Sequence, residues 1–179
     1  MSRGGCAEPV SGHGGGMDYE AMLAKSARSG VSLDTEAGAA ALERFKRFFG
    51  NLTPERVRND AAFVYAADAI LHDTLATHEG VEAIQAYLLR TAERAAGVKV
   101  DILRVLTDGS DAFLVWRMDI TWSAFRQKGR TTRSHGMSHI RFDADGKVAL
   151  HHDFWDSASG FFEHLPLVGT LIRWIKRKV

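Results

Sequence analysis

The chain of 179 residues is long enough for one domain with a full hydrophobic core, since 45% of its residues are hydrophobic and 25% are charged. Its 23 Lys and Arg residues balance 22 Asp and Glu residues, so no global charge favours nucleic acid or an acidic partner. The single Cys6 excludes an internal disulfide and favours a reducing, cytoplasmic setting.

Residues 1–33 are predicted to be a disordered or loosely ordered N-terminal tail. Residues 1–16 are rich in Gly and Ser and lack the apolar core of a signal peptide. Residues 19–25 can hold a short helical turn, but residues 26–30 return to the composition of a linker. The folded domain is therefore predicted to occupy residues 34–157.

Three amphipathic helices are predicted at the start of this domain. The first begins after Asp34, a plausible N-cap, and ends at Gly50. The second starts at Thr53, where a hydroxyl side chain precedes a proline at the first helical position. A helix end and a short strand over residues 65–74 separate it from the third, whose apolar stripe covers residues 81–92.

Beyond Gly97 the pattern changes from helices to strands. A tight turn of Asp143, Ala144, Asp145 and Gly146 indicates a β-hairpin at the end of this region. Three helices before a meander of four strands predict an α+β domain, in which a cone-shaped, curved antiparallel sheet packs on the helices and encloses a pocket. The predicted strands are residues 98–106, 112–125 and 131–142 and the segment that starts at Val148.

Residues 158–179 are predicted to form an amphipathic C-terminal helix. Apolar residues recur at helical spacing between Leu167 and Ile175, beside a cluster of cations. Such a helix, with Trp174, can lie on an anionic membrane surface. We prefer the alternative that it closes the pocket or packs on a dimer partner, because one short element binds membranes only weakly.

Titratable and aromatic side chains are concentrated in the last strand, between flanks that are typical of sheet core. Because successive side chains alternate between faces, His151, Asp153 and Trp155 share one face, whereas His152 and Phe154 share the other. We place the candidate site on the first face. There, His151 and Asp153 form either the acid–base pair of a pocket or a hydrogen-bonded pair that satisfies polarity inside the sheet.

Large side chains also alternate along the strand predicted over residues 112–125. Trp116, Met118, Ile120 and Trp122 share one face of this strand. They would line the cavity, or they form an ordinary core stripe.

The order of these elements, with three stretches of sequence, resembles the nuclear-transport-factor-2-like superfamily, specifically its SnoaL-like and ketosteroid-isomerase-like branch. The stretches are YAADAILHD, EGVEAIQAYL and RFDADGKVALHHDFWD. The resemblance covers residues 37–157. It implies the fold predicted above and specifies activity poorly, because this fold hosts isomerases, polyketide cyclases, epoxide hydrolases, dehydratases and binding domains.

The resemblance to ketosteroid isomerases implies a role for Asp73. Asp73 matches the carboxylate that moves a proton on the carbon next to a carbonyl group. A carboxylate can transfer a proton in this way when partial burial raises its pKa. The alternative is that Asp73 simply caps the turn that follows it. The second carboxylic acid of the isomerases falls at Ser138, and their helical tyrosine falls where this chain offers only phenylalanines, so an isomerase-type oxyanion hole is missing. These phenylalanines are Phe45, Phe48 and Phe49.

The resemblance to SnoaL-like cyclases implies a carboxylate at the end of the last strand. That position falls near Asp156, or near Asp153 if a bulge shifts the register. Trp155 matches an aromatic residue of the pocket wall in the isomerases.

Three histidines, His135, His139 and His152, are predicted on the opposite face of the sheet. Residues four apart on a strand lie about 13 Å apart, which is too far for one metal ion, so we predict no metal there. With Met137 and Phe154 these histidines are expected at a homodimer interface, since the family resemblance implies a partner subunit on this face.

We expect a SnoaL-like protein whose cavity takes a mostly apolar carbonyl compound, with carboxylates and a histidine poised for proton transfer in an isomerase, cyclase or dehydratase reaction. The chain has no phosphate loop, nucleophile elbow or metal-ligand spacing, so no cofactor is predicted. The alternative is a non-catalytic ligand-binding or interaction module of the same fold. The candidate catalytic residues are Asp73, His151 and Asp153, and the candidate substrate-binding residues are Tyr65, Trp116, Met118, Trp122, Ser138 and Trp155.

Overall fold

The computed structural model of the protein describes residues 17–123, 129–157, 174–176 and 178, except for the side chain of Trp122. The tail predicted at residues 1–16 and most of the helix predicted at residues 158–179 lie outside the described residues. Residues 174–176 are helical, with exposed side chains. Within the described part of the chain, no helix is both long and apolar enough to cross a membrane.

Hydroxyl caps fix the starts of the first two predicted helices. The Thr53 hydroxyl accepts the Arg56 backbone N–H at 3.2 Å, where the sequence predicts it. The Thr35 hydroxyl accepts the Gly38 N–H at 3.1 Å, so this helix is capped one residue after Asp34. The helices are α1 (Tyr19–Lys25), α2 (Glu36–Gly50), α3 (Pro54–Val64) and α4 (Val81–Arg94).

Six strands form one curved, open sheet in the order β2-β1-β6-β5-β4-β3. The meander from β3 to β6 is antiparallel, as predicted. The sheet is nevertheless mixed, because β1 pairs with β6 in parallel, and β2 extends the sheet beyond β1. The strands are β1 (Tyr65–His72), β2 (Thr77–Glu79), β3 (Ala95–Asp108), β4 (Asp111–Trp122), β5 (Thr131–Phe142) and β6 (Val148–Trp155).

The β5–β6 hairpin closes where the sequence predicts it. The Asp143 carboxylate accepts the backbone N–H groups of Asp145 at 3.0 Å and Lys147 at 2.8 Å. Gly146 has a φ of 69°, a conformation that a residue with a side chain adopts only at a cost. This turn sets the register that brings Ser138 opposite Asp153.

The main core lies between helices α2, α3 and α4 and one face of the sheet, which we call the inner face. Fully buried side chains of Phe45, Val57 and Ile84 meet Leu114 and Ile140 there. Burying this apolar surface stabilises the fold and orients the inner face toward the helices. The α+β fold class predicted from the sequence, a curved sheet on three helices, is confirmed.

Helix α1 covers part of the opposite, outer face. Met22 is only 1% exposed and packs against Ile70 and Leu150. The Asp18 carboxylate accepts the Ala21 N–H at 2.8 Å and caps this short helix. Part of the segment predicted as a loosely ordered tail is therefore packed onto the sheet.

Candidate functional site

A buried histidine, His151, lies at the centre of the inner face of β6. Its Nε2 is 3.0 Å from Asp153 Oδ1, and its Nδ1 is 2.8 Å from the Tyr65 hydroxyl oxygen. The neutral tautomer that satisfies both contacts donates from Nε2 to the carboxylate and accepts the Tyr65 O–H at Nδ1. The three residues are 0 to 8% exposed, so their hydrogen bonds form away from bulk water.

Ser138 and Trp116 extend this hydrogen-bonded chain across the sheet. The Trp116 indole N–H donates to Ser138 Oγ at 2.8 Å, and the Ser138 hydroxyl donates to Asp153 Oδ1. Gly136 makes room for the indole, because a Cβ at this position would lie 2.5 Å from the Trp116 ring. Both hydrogen bonds to Asp153 use Oδ1, and its Oδ2 accepts none from the described residues.

Aromatic rings enclose the chain on the helix side. Phe45 and Phe49 of α2 present their edges to His151, with ring centroids 5.3 Å and 5.1 Å away. Burial, with the nearby charge of Asp153, holds the pKa of Tyr65 well above its ordinary value of 10.0. Tyr65 therefore stays protonated and remains a hydrogen-bond donor to His151.

Asp73 lies at the end of β1, where it organises the following turn. Its Oδ1 accepts the backbone N–H groups of Leu75 at 3.1 Å and Ala76 at 3.0 Å. Thr74, which follows Asp73, has a φ of 68°. The Trp155 indole N–H donates to the Asp73 carbonyl at 2.8 Å. The turn-capping role expected as an alternative is therefore present, and it uses only one of the two carboxylate oxygens.

The electrostatic environment of Asp73 differs from that of a surface carboxylate. Burial raises the pKa of Asp73 above its ordinary value of 3.8, and the charge of Asp153 raises it further, against the lowering effect of the two backbone N–H groups. The two carboxylates are thus close enough to influence each other. A half-exposed carboxylate of raised pKa holds a proton more readily than a surface carboxylate, which suits it to proton exchange with a bound molecule.

Tyr87 and His78 complete the surroundings of Asp73, and sequence reasoning did not identify either as a site residue. The Tyr87 hydroxyl of α4 donates to Asp73 Oδ2, and the His78 ring stacks on Tyr87 with centroids 4.2 Å apart. The sequence pattern places Tyr87 in the apolar stripe of its helix. This pattern reflects the apolar ring and does not show that the hydroxyl makes a polar contact. His78 comes from β2, a three-residue strand with no sequence signal of its own.

The remaining candidate residues do not all lie beside Asp73 and His151. Met118 is half-buried and packs against the main core, whereas the Trp122 side chain is outside the described residues. Asp156 is exposed and its Oδ2 lies 3.9 Å from Lys176 Nζ. Of the two carboxylates considered for the cyclase position, Asp153 is therefore the one on the inner face.

The outer face carries a second group of histidines, beneath α1. His139 and His152 are direct cross-strand partners, and the Tyr19 hydroxyl lies 2.8 Å from His139 Nδ1. Burial lowers the pKa of His152 from 6.5 to about 4, with a contribution from His72. Among the described residues, no group of three His, Cys, Asp or Glu side chains is arranged to hold a metal.

Comparisons with known proteins agree on the fold. An M. tuberculosis epoxide hydrolase of the LEH-like type superposes with a TM-score of 0.58 at 18% identity, over 80% of this chain and 94% of that one. A Catenulispora acidiphila protein with a ketosteroid isomerase-like fold, solved with trimethylamine, gives 0.56 at 16% identity, over 67% and 88%. A Shewanella putrefaciens protein named as a SnoaL-like polyketide cyclase gives 0.57 at 16% identity, over 67% and 92%.

The superpositions establish a shared fold, whereas identities of 16 to 18% do not establish a shared reaction. No curated protein matches the sequence. The sequence model of the SnoaL-like domain matches residues 45–151, a range that runs from α2 into β6 and includes Asp73 and His151. The chain belongs to the SnoaL-like domain family.

Proposed function

We propose that this protein binds a mostly apolar small molecule with a carbonyl group and transfers a proton on it, with Asp73 as the group that takes and returns the proton. The observation that carries the proposal is a half-buried carboxylate, Asp73, whose hydrogen bonds come from two backbone N–H groups and Tyr87 and whose pKa is raised, chiefly by burial. A base of this kind is strongest when its surroundings disfavour its charge.

Each residue of the site has a part in the proposed step. Ionised Asp73 takes a proton from the carbon next to the carbonyl, and the electron pair of the broken C–H bond moves to the carbonyl oxygen. Protonated Asp73 no longer needs the hydrogen bond from Tyr87, whose O–H can then donate to the newly charged oxygen. Returning the proton to another atom of the same molecule completes an isomerisation or prepares a cyclisation or an elimination.

The buried chain has a supporting role in this proposal. Ser138 and His151 hold Asp153 through its Oδ1 and keep its negative charge opposite Asp73. That charge raises the pKa of Asp73. Asp153 Oδ2, without a hydrogen bond from the described residues, is the atom of the chain that can accept a hydrogen bond from a bound molecule. His151, which is held by Tyr65, fixes the position of Asp153 from the core side.

The experiment is to identify what co-purifies with the protein, by native mass spectrometry followed by denaturation and small-molecule analysis. Wild type is compared with Asp73→Asn, which keeps the shape of the side chain, and with Asp108→Asn, an exposed aspartate at the end of β3. A carbonyl compound that wild type and Asp108→Asn convert, and Asp73→Asn only retains, supports the proposal. Equal conversion by all three proteins contradicts it.

A specific observation favours a second candidate, a non-catalytic binding module. The chain from Tyr65 through His151 and Asp153 to Trp116 satisfies most of its polar atoms inside the fold. A buried network of this kind can serve only to fix the core. In this case a ligand is bound unchanged, and Asp73→Asn has the same affinity for it as wild type.

A further inference from the structure

A depression of about 320 Å³ lies on the surface of α2 and α3. Its volume is at the lower end of the range of small-molecule sites. Three arginines contribute to its lining, with one aspartate and three apolar side chains. The lining residues are Arg44, Arg47, Phe48, Arg56, Asp60, Phe63 and Val64.

Two of the three guanidinium groups of this arginine depression are held by backbone carbonyls, and no carboxylate of the described residues is within 4 Å of any of the three. Arg44 donates to the Gly146 backbone carbonyl, and Arg56 donates to the Arg47 carbonyl at 2.7 Å. The Arg47 guanidinium has no hydrogen bond or ion pair to the described residues. A backbone carbonyl orients a guanidinium and leaves its charge and its other N–H groups available.

Two other surface arginines, Arg58 and Arg28, are paired with carboxylates. Arg58, on the same helix α3, is 2.7 Å from Glu93, and Arg28 makes a two-point contact with Asp68 at 2.9 Å. Asp60 lies in the depression itself and still makes no ion pair within 4 Å with the described residues. The depression therefore carries a net charge of about +2, from three guanidinium groups and one carboxylate.

The apolar lining gives the depression a second property. Phe48 is 2% exposed and Val64 is 2% exposed, so they form a buried floor, whereas Phe63 is 68% exposed and stands at the rim. An exposed aromatic ring of this kind offers a flat face to a ligand. Charge and shape together are complementary to a molecule with an anionic end and a flat apolar end.

We propose that the arginine depression binds a small organic phosphate monoester whose carbon part is flat and apolar. A monoester carries about −1.5 to −2 charges near neutral pH, which matches the net charge of the depression better than a carboxylate does. Guanidinium groups bind phosphate oxygens through paired hydrogen bonds. The ring of the ligand lies against Phe63 and covers Val64.

The proposal is tested by isothermal titration of the full chain with phenyl phosphate, with benzoate and inorganic phosphate as comparisons. Phenyl phosphate is expected to bind more tightly than either, since benzoate carries one charge and inorganic phosphate lacks the ring. Arg47→Ala is expected to weaken binding about tenfold by removing one charged donor. Arg58→Ala is the control, because Arg58 lies on α3 outside the depression and is paired with Glu93, and it is expected to leave binding unchanged.

A second variant separates an anion site from a structural cluster. Asp60→Asn removes the negative charge of the depression and is expected to tighten phenyl phosphate binding several-fold. Weaker binding by Asp60→Asn, equal loss in Arg47→Ala and Arg58→Ala, or no heat of binding in wild type overturns the proposal. The outcome is independent of the Asp73 chemistry, because these variants are judged by binding alone.

Discussion

At the scale of single residues, Asp73 couples function to stability. A carboxyl whose folded pKa is raised binds more protons in the folded state than in the unfolded state, from pH 3.8 up to the raised value. Stability therefore falls as pH rises through this window, and ionised Asp73 destabilises the fold at neutral pH. Asp73→Asn keeps an oxygen for the Leu75 and Ala76 N–H groups and removes the charge.

We therefore expect Asp73→Asn to be at least as stable as wild type at neutral pH. Its advantage should shrink as the pH is lowered toward 3.8, where Asp73 of the wild type is protonated too. Chemical denaturation of both proteins across this range measures the difference. The quantity to compare is the stability of Asp73→Asn minus that of wild type. If this difference is lower at neutral pH than at acid pH, the carboxylate serves the turn alone.

His152 has the opposite effect on stability. Its pKa falls from 6.5 to about 4 on folding, so the unfolded chain binds more protons between these values and stability is lost as pH falls from 6.5 toward 4. At 1.36 kcal/mol for each pKa unit, the full effect is at most roughly 3 kcal/mol. The burial of His139, whose pKa is also lowered, acts in the same direction.

The variant that tests this effect is His152→Phe, which keeps a ring between Tyr19 and Phe154 and cannot be protonated. Relative to wild type, it should become more stable as the pH is lowered from 6.5 to about 4. Urea unfolding at both ends of this range measures the change. His135→Phe, at an exposed position of the same sheet, is the control; a constant difference between wild type and His152→Phe would rule out this origin of acid sensitivity.

At the scale of elements, the sequence predicts those parts whose signal is local. Helix caps at Thr53, the turn at Gly146 and the alternation of β6 come from neighbouring residues, and the structure has all three. The parallel pairing of β1 with β6 depends on residues about 80 apart, which no local pattern records. The three-residue strand β2 is too short to give a strand period, whereas α1 coincides with the short helical turn expected at residues 19–25.

The residues of the candidate site likewise divide into those that the sequence predicts and those that it does not. His151, Asp153 and Trp155 follow from strand alternation, and Asp73 came from the family resemblance. Tyr87 and His78 reach Asp73 through a helix and an edge strand whose positions are set by tertiary packing. Sequence periodicity classed Tyr87 as core because its ring is apolar and only its hydroxyl is not.

Helix α1 has one buried side chain, that of Met22. Its seven residues are too few to be stable in isolation, so its position relies on Met22 against Ile70 and Leu150. We expect Met22→Ala to destabilise this contact by about 2 kcal/mol or more. Hydrogen exchange should then speed up in residues 19–25 while the strands β4 and β5 remain protected.

Lys25→Ala is the matched change on the same helix, since Lys25 makes only an exposed ion pair with Glu79. Exposed pairs contribute little, so its exchange pattern should resemble that of wild type. Uniform loss of protection in Met22→Ala would mean that α1 unfolds together with the whole domain.

At the scale of the molecule, the two faces of the sheet have different chemistry. The inner face is covered by three helices and holds the buried polar chain. The outer face has α1 over His139 and His152 and leaves Met137 and Phe154 each 36% exposed beside each other. Leu106, on a neighbouring row of the same face, is 66% exposed. An apolar area of this kind, with exposed side chains from three strands, is typical of a contact surface.

We propose that this outer face joins two copies of the chain in a homodimer. Phe154→Asp places a charge in the centre of the surface, so it should shift sedimentation or light scattering from dimer to monomer without changing the fold. Phe63→Asp is the control, because Phe63 is more exposed than Phe154 and lies on α3, on the other side of the sheet. A two-fold symmetric interface uses the same patch on both copies, so Phe154→Asp changes both sides at once. The contacts of the neighbouring Met137 across the axis should be lost with those of Phe154. A wild-type protein that is monomeric at all accessible concentrations, or a Phe154→Asp variant that still forms dimers, would assign another role to this face.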